Sequence, residues 1–153
     1  MRTVFVDLDN TLAANKTCEN VKFSKGLYAG KKPIQIVING IEYLYSQDSI
    51  IIISRYVGGW RGREEKIDWI KKYLPLCFRK ASPFLISADD IRTKAHFIKE
   101  YAALNNIPLK NCIIIDDNKT ILQECKKVGI KTFYPQQIIC MYENIGGEND
   151  NIK

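Results

Sequence analysis

Val4-Phe5-Val6-Asp7-Leu8-Asp9-Asn10-Thr11-Leu12, close to the amino end, is a strand signal that runs straight into two carboxylates. Val4-Phe5-Val6 is short, β-branched and aromatic, and reads as a buried strand. In a parallel α/β sheet, ligands bind just outside the carboxyl ends of the strands, which is where Asp7 and Asp9 fall. Side chains on a strand alternate faces, so both acids point to one site if extended backbone continues through Asp9. Two carboxylates that close repel each other unless a cation lies between them or one keeps a proton. The pair therefore implies Mg²⁺ or a protonated acid.

Working outward, Ile50-Ile51-Ile52-Ile53 is a second buried run and ends in Ser54, and Ile113-Ile114-Ile115 is another and ends in Asp116-Asp117. Residues 13 to 32 read as a polar loop. Pro33 takes the favoured first position of a helix. The core face of that helix is Ile34, Val37, Ile38, Ile41, Leu44 and Tyr45. Gly58-Gly59 breaks the chain before a helix from about Gly62 to Leu74. Phe84-Leu85-Ile86 is a third strand. Asp89 or Asp90 caps the next helix, which carries Ala95, Ile98 and Ala102. A helix with Ile121, Leu122, Cys125 and Val128 stops at Gly129. Lys131 to Tyr134 is the fifth strand, closed by Pro135. Strands separated by helices imply a parallel sheet with right-handed crossovers, an α/β protein of three-layer, Rossmann-like type. Residues 1 to 135 form one domain, and residues 136 to 153, rich in Gly, Asn and Glu, read as a partly disordered tail.

A chain of 153 residues, 46% hydrophobic and 26% charged, fits a single domain with a real core. No apolar run approaches the ~20 residues that span a bilayer, so no membrane partner is expected. Met1-Arg2-Thr3 leads straight into the first strand without a signal peptide. The five cysteines, Cys18, Cys77, Cys112, Cys125 and Cys140, are odd in number, scattered and without a CxxC pair. They read as reduced thiols of a cytoplasmic protein. The net charge of +6 favours anionic partners. Lys16, Lys22, Lys25, Lys31 and Lys32 crowd the segment after the first motif, either as a solvated loop or as a grip on an anionic substrate.

Asp7-x-Asp9-x-Thr11 after an amino-terminal strand, Ser54 after a second strand, Lys94 opening a helix and Asp116-Asp117 after a later strand follow one another in the order of four motifs. In this the chain resembles the haloacid dehalogenase-like phosphatase superfamily over residues 1 to about 134. The resemblance implies a sheet with strand order 3-2-1-4-5 that brings these residues to one edge. It implies Asp7 as nucleophile and metal ligand, and Asp9 as general acid and base that also ligates through its backbone carbonyl. Ser54 would donate to a phosphate oxygen and Lys94 would neutralise charge on the phosphoryl group. Mg²⁺ would be held by Asp7, Asp9 and Asp117, with Asp116 as a ligand or behind it. Asn10, Thr11 and Arg55, beside these motifs, are candidate substrate-binding residues. A cap domain is usual in the superfamily, but residues 13 to 32 are too few for one.

The substrate is expected to be a phosphorylated small molecule. Glu65-Lys66-x-x-Trp69 with its neighbours to Leu74 resembles 5'(3')-deoxyribonucleotidases, which implies nucleoside monophosphates. Polynucleotide 3'-phosphatase domains, capless and with Ser and Arg in the second motif, are the rival, which would make nucleic acid a partner. Outside enzymes, a phosphorylatable receiver-like module or a catalytically silent binding module is the alternative. A receiver places its acceptor Asp mid-chain and has no use for Asp9 as an acid. The oligomeric state is open.

Overall fold

The computed structural model describes residues 1–14 and 28–150, with side chains to 146. Along the chain run β1 (Thr3–Val6), β2 (Ala13–Ala14), β3 (Lys32–Pro33), α1 (Gln35–Leu44), β4 (Ser49–Tyr56), α2 (Gly59–Tyr73), β5 (Phe84–Ser87), α3 (Lys94–Leu104), β6 (Cys112–Ile115), α4 (Lys119–Lys127), β7 (Lys131–Phe133) and α5 (Pro135–Asp150). Five strands make a sheet in the order β5-β4-β1-β6-β7, with every neighbouring pair parallel. Counted along the chain, they are the third, second, first, fourth and fifth strands of that sheet.

The pleat sorts the apolar residues into two cores. Val4, Val6, Ile50, Ile52, Ile113 and Ile115 join Val37, Ile38, Ile41, Trp69 and Ile138 on one side. Phe5, Ile51, Ile53, Cys112 and Ile114 join Ala95, Ile98, Ala102, Leu122 and Cys125 on the other. The three layers are thus α1, α2 and α5, then the sheet, then α3 and α4. Continuous apolar runs are what a sheet buried on both faces requires.

Several boundaries differ from expectation. Pro33 lies in β3, paired across from Ala13, and the amide of Ile34 donates to Leu12 O at 2.7 Å. This backbone pairing holds the chain extended, so α1 begins two residues later. A two-residue strand leaves no alternation for sequence to reveal. The cap of α3 is Thr93, whose hydroxyl accepts from the His96 amide at 3.1 Å. Asp90 instead accepts from the Arg92 amide at 3.0 Å and stabilises the preceding turn. Residues 136–150, expected as a frayed tail, belong to α5. Its Ile138 is fully buried against α1, and Gly40 permits the approach, since a Cβ there would stand 3.1 Å from Ile138 Cγ2. Tertiary packing overrides the weak helix propensity of Gly and Asn. Lys16, Cys18, Lys22 and Lys25 lie outside the described residues. Cys112 and Cys125 are buried free thiols, as the apolar pattern implies, and Cys77 and Cys140 are free as well. No described helix is long and apolar enough to cross a membrane.

Register sets the active edge. Val6 pairs with Ile52 on one side and Ile115 on the other, so Asp7 and Asp116 leave the sheet together beside Ser54 of β4, a strand that runs on to Tyr56 rather than ending at Ser54 as expected. Beyond β4 the chain turns through Gly58, at φ 80°, into α2. Gly62 then packs so tightly that a Cβ would fall 1.7 Å from Val57 O. Backbone on both sides cannot yield cheaply, so Gly62→Ala is expected to cost about 1–3 kcal/mol by overpacking. That corresponds to a melting temperature lower by about 2–12 °C for a domain of this size. Thermal unfolding checks it, and a variant that melts with the parent refutes the close approach.

Candidate active site

The amide of Asp7 donates to Ile115 O at 2.9 Å, carrying the β1–β6 ladder one residue past β1. Its carboxylate is buried. Thr11 Oγ1 donates to Asp7 Oδ2 at 3.2 Å, and Lys94 Nζ donates to Asp7 Oδ1 at 2.7 Å. Lys94, in the first turn of α3, also donates to Asp116 Oδ2 at 2.7 Å. The other oxygen of Asp116 accepts from the Asn118 amide at 2.9 Å, and Asn118 caps α4 through Ile121. Asp117 is exposed beside them. Loss of water pushes the Asp7 carboxyl up to about 7; the charge of Lys94 opposes this and that of Asp116 adds to it. Burial, then Asp116, also raises Asp117.

A second cluster forms around Asp9. The chain turns sharply after it, with Asn10 left-handed at φ 60° and its amide donating to Ala13 O at 2.8 Å. The Asp9 carboxylate accepts from Lys31 Nζ at 2.5 Å and from Lys66 Nζ at 2.6 Å. Partial burial works against its charge, but these two bonds hold Asp9 below the usual carboxylate range. Lys66 Nζ also donates to Ser54 Oγ at 2.8 Å and to Arg55 O. Trp69, a turn further along α2, is buried and donates its indole N–H to Lys31 O at 2.9 Å.

Asp7, Ser54, Lys94, Asp116 and Asp117 therefore stand at one edge, with Asp9 beside them. Thr11 is fully buried and spends its hydroxyl on Asp7, so it orients that acid. Arg55 donates to the carbonyls of Ser87 at 3.3 Å, Asp90 at 2.8 Å and Arg92, and so braces the loop that leads to Lys94. Asn10 is exposed and shapes the turn with its backbone. Lys66 is a site residue that sequence reading missed. Its signal is its spacing: Lys66, Trp69, Ile70 and Tyr73 form one stripe of α2, and a lysine on an apolar stripe needs a buried partner.

The acids offer a cation hard oxygen ligands. One oxygen from each of Asp7, Asp116 and Asp117 lies within 4.8 Å of the others. Oxygen donors of this kind suit Mg²⁺, and a cation would relieve the crowding that raises Asp7 and Asp117. The Asp9 carboxylate is turned to its lysines and is not among these oxygens. Saturating Mg²⁺ is expected to raise the melting temperature, because a ligand at about 100 times its Kd adds about 2.7 kcal/mol. Asp117→Asn should remove most of that shift and, without metal, melt at or above the parent temperature, since burial and Asp116 disfavour its charge. Thermal melts across a Mg²⁺ titration check this, and absence of any shift in the parent refutes the site.

No protein-family model matches the chain, and no curated protein matches it. Solved structures do. The chain is similar to one in the Pnkp1/Rnl/Hen1 complex, at 17% identity over 86% of this chain and 45% of that one, with a TM-score of 0.59. It is similar to SP0104, a haloacid dehalogenase-like family hydrolase from Streptococcus pneumoniae, at 14% identity over 93% and 90% of the two chains, with a TM-score of 0.58. It is also similar to the HAD family enzyme bt-2542 from Bacteroides thetaiotaomicron, a mutant solved with magnesium and inorganic phosphate. That match has 10% identity over 87% and 93% of the chains and a TM-score of 0.56. The chain spans less than half the length of the first of these. At such identities likeness speaks to architecture, and the parallel sheet, its strand order and these neighbours agree: the chain has the haloacid dehalogenase-like fold.

Proposed function

We propose that the protein is a Mg²⁺-dependent phosphomonoester hydrolase that works through an aspartyl-phosphate, with nucleoside monophosphates among its substrates. The observation that carries this is Asp7, buried at a strand end with Lys94 on one oxygen and Thr11 on the other. A buried, oriented carboxylate beside one ammonium group and two further acids suits attack on an anionic phosphorus centre.

An oxygen of Asp7 attacks phosphorus as the ester P–O bond breaks; Asp9, released from its two lysines and protonated from solvent as substrate binds, gives that proton to the leaving oxygen. Water then attacks the aspartyl-phosphate and passes its proton to Asp9, which frees inorganic phosphate and restores Asp7. Lys94 neutralises charge on the transferring group, as lysines do in phosphoryl transfer. Ser54, fully buried near the end of β4, donates to a phosphate oxygen. Asp7, Asp117 and the Asp9 carbonyl would hold the Mg²⁺, while Asp116 keeps Lys94 in place. Bound there, the ion supplies Lewis acidity and offsets the charge of acids and phosphate.

Two features support a nucleotide. The stretch from Glu65 to Leu74 resembles nucleotidases. In addition, Trp60, 74% exposed, lines a cavity of about 260 Å³ at the ends of β4 and β5 together with Tyr56, Arg63 and Ser87. An exposed indole at the same edge of the sheet as Asp7 offers a base a stacking surface. The second reading, 3'-phosphorylated nucleic acid, is favoured by Lys31, whose ammonium stands in the site against Asp9. Comparing nucleoside monophosphates, 3'-phosphorylated oligonucleotides and sugar phosphates tests both. Nucleic acid would show a salt dependence of about −0.7 in log-log slope per lysine–phosphate contact on single strands. Preference for sugar phosphates refutes both substrate readings.

Asp9→Asn is expected to slow phosphoryl transfer by about 10²–10⁴-fold, the usual worth of a general acid. In single-turnover measurements the loss should be smaller for an aryl phosphate, whose leaving oxygen needs no proton. Equal losses on nucleotide and aryl substrates exclude Asp9 as the acid.

A further inference from the structure

Lys31 and Lys66 have no part in the chemistry above, yet the fold invests in placing them. Lys66 is only 6% exposed, and its ammonium bridges Asp9, Ser54 and the Arg55 carbonyl. Lys31 takes the other oxygen of Asp9. Both ammonium groups face the ring of Tyr28, Lys31 at 4.6 Å and Lys66 at 5.0 Å from its centroid. The Tyr28 hydroxyl is buried without a hydrogen bond of proper geometry, although the charge of Asp9 reaches it. Trp69 fixes Lys31 through its carbonyl, and Lys66 stands a turn away on the same helix. Asp9 brings one negative charge to two ammonium groups, and Lys94 is already engaged by Asp7 and Asp116. This wall of the pocket therefore still attracts an anion.

We propose that Lys31, Lys66 and the Tyr28 hydroxyl form an anion subsite on the Asp9 side of the pocket, which takes a second anionic group carried by the leaving half of the phosphomonoester. The proposal rests on the phosphatase reading, in which Asp9 meets the leaving oxygen. An anion on the leaving half lies on that side and can draw the lysines away from Asp9. Asp9 is then free to turn to the leaving oxygen. Lys66 already touches Ser54, so it also lies within reach of the scissile phosphate. The substrates that fit are phosphomonoesters with a second anion close to the ester: a nucleoside bisphosphate, or a 3'-phosphorylated strand with its adjoining phosphodiester.

The test measures kcat/KM on thymidine 3'-monophosphate, thymidine 3',5'-bisphosphate and 3'-phosphorylated dithymidylate, for the parent, Lys31→Met and Lys31→Arg. A charge-assisted hydrogen bond to the second anion is expected to favour the two doubly anionic substrates by about tenfold to a hundredfold. Lys31→Met should erase that preference, chiefly through KM, and Lys31→Arg should keep most of it. Melting temperatures show that the variants are folded, and a fold-only role for Lys31 would move all three substrates together. Favouring the dinucleotide identifies a phosphodiester as the second anion, and favouring the bisphosphate identifies a terminal phosphate; either supports the subsite. Equal kcat/KM on all three, or a preference that survives Lys31→Met, overturns it. A parent protein inert toward these and toward an aryl phosphate overturns the phosphatase reading itself, a result distinct from an active enzyme indifferent to the second charge.

Discussion

Asp7→Asn is expected to abolish turnover, by about 10⁴–10⁶-fold on the scale seen when enzymes lose a nucleophile, while the protein stays folded. An amide is a poor nucleophile and a poor ligand for a hard cation. Its shape matches the acid, so Thr11 and Lys94 keep a neighbour of the same size. Stability should not suffer. The Asp7 carboxyl is raised because it is buried near Asp116 and Asp117, which means its charge is held at a cost. Removing that charge leaves Lys94 still bonded to Asp116 at 2.7 Å. In metal-free buffer Asp7→Asn should melt at or above the parent temperature, the usual exchange of activity for stability at a strained site. The measurement pairs steady-state turnover with melting in EDTA. Near-parental turnover would refute the covalent mechanism.

Lys94→Met is expected to fail in the opposite way, losing stability as well as activity. Lys94 is almost fully buried and is the cation between two buried acids, Asp7 and Asp116. Removing one partner of a buried ion pair costs roughly 3–5 kcal/mol, because the remaining charge is left without compensation. The loss should depend on pH. Without the ammonium the Asp7 carboxyl rises further above its unfolded value, so the native state binds protons more tightly than the unfolded one. Stability then falls as pH increases. The deficit should be smallest near pH 5 and grow through about 7, where Asp7 already sits in the parent. Denaturant melts of parent and variant at several pH values in EDTA check this. A pH-independent deficit would mean that Lys94 supports packing alone. Turnover should fall at every pH, since the charge on the transferring phosphoryl group would lose its ammonium partner.

The contrast follows from how the acids are held. Asp7 is a charge the fold tolerates, and Lys94 is the group that makes it tolerable. Arg55 shows the same economy one strand away. Its guanidinium is committed to three carbonyls of the 87–92 loop, which leads into Thr93 and so into the turn that aims Lys94.

What the chain alone determined is the sheet and its chemically active ends. Val4-Phe5-Val6, Ile50 to Ile53 and Ile113-Ile114-Ile115 are local apolar runs, and a residue's place at the end of such a run is a local property. Asp7 and Asp116-Asp117 could therefore be assigned to strand ends, Ser54 to within two residues of one, and the alternation of strands with helices to a parallel sheet. The helix α5 escaped notice because its Gly and Asn residues weaken a local signal that only docking on α1 restores. The partners of the charged side chains were beyond reach for a different reason. Lys66 meets Asp9 across 57 residues of sequence and Lys94 meets Asp7 across 87. A lysine on a helix looks the same in sequence whether it faces water or a buried acid. Only the packing of α2 and α3 against the sheet removes the water that would otherwise solvate these ammonium groups, and so turns them from surface charges into parts of the site.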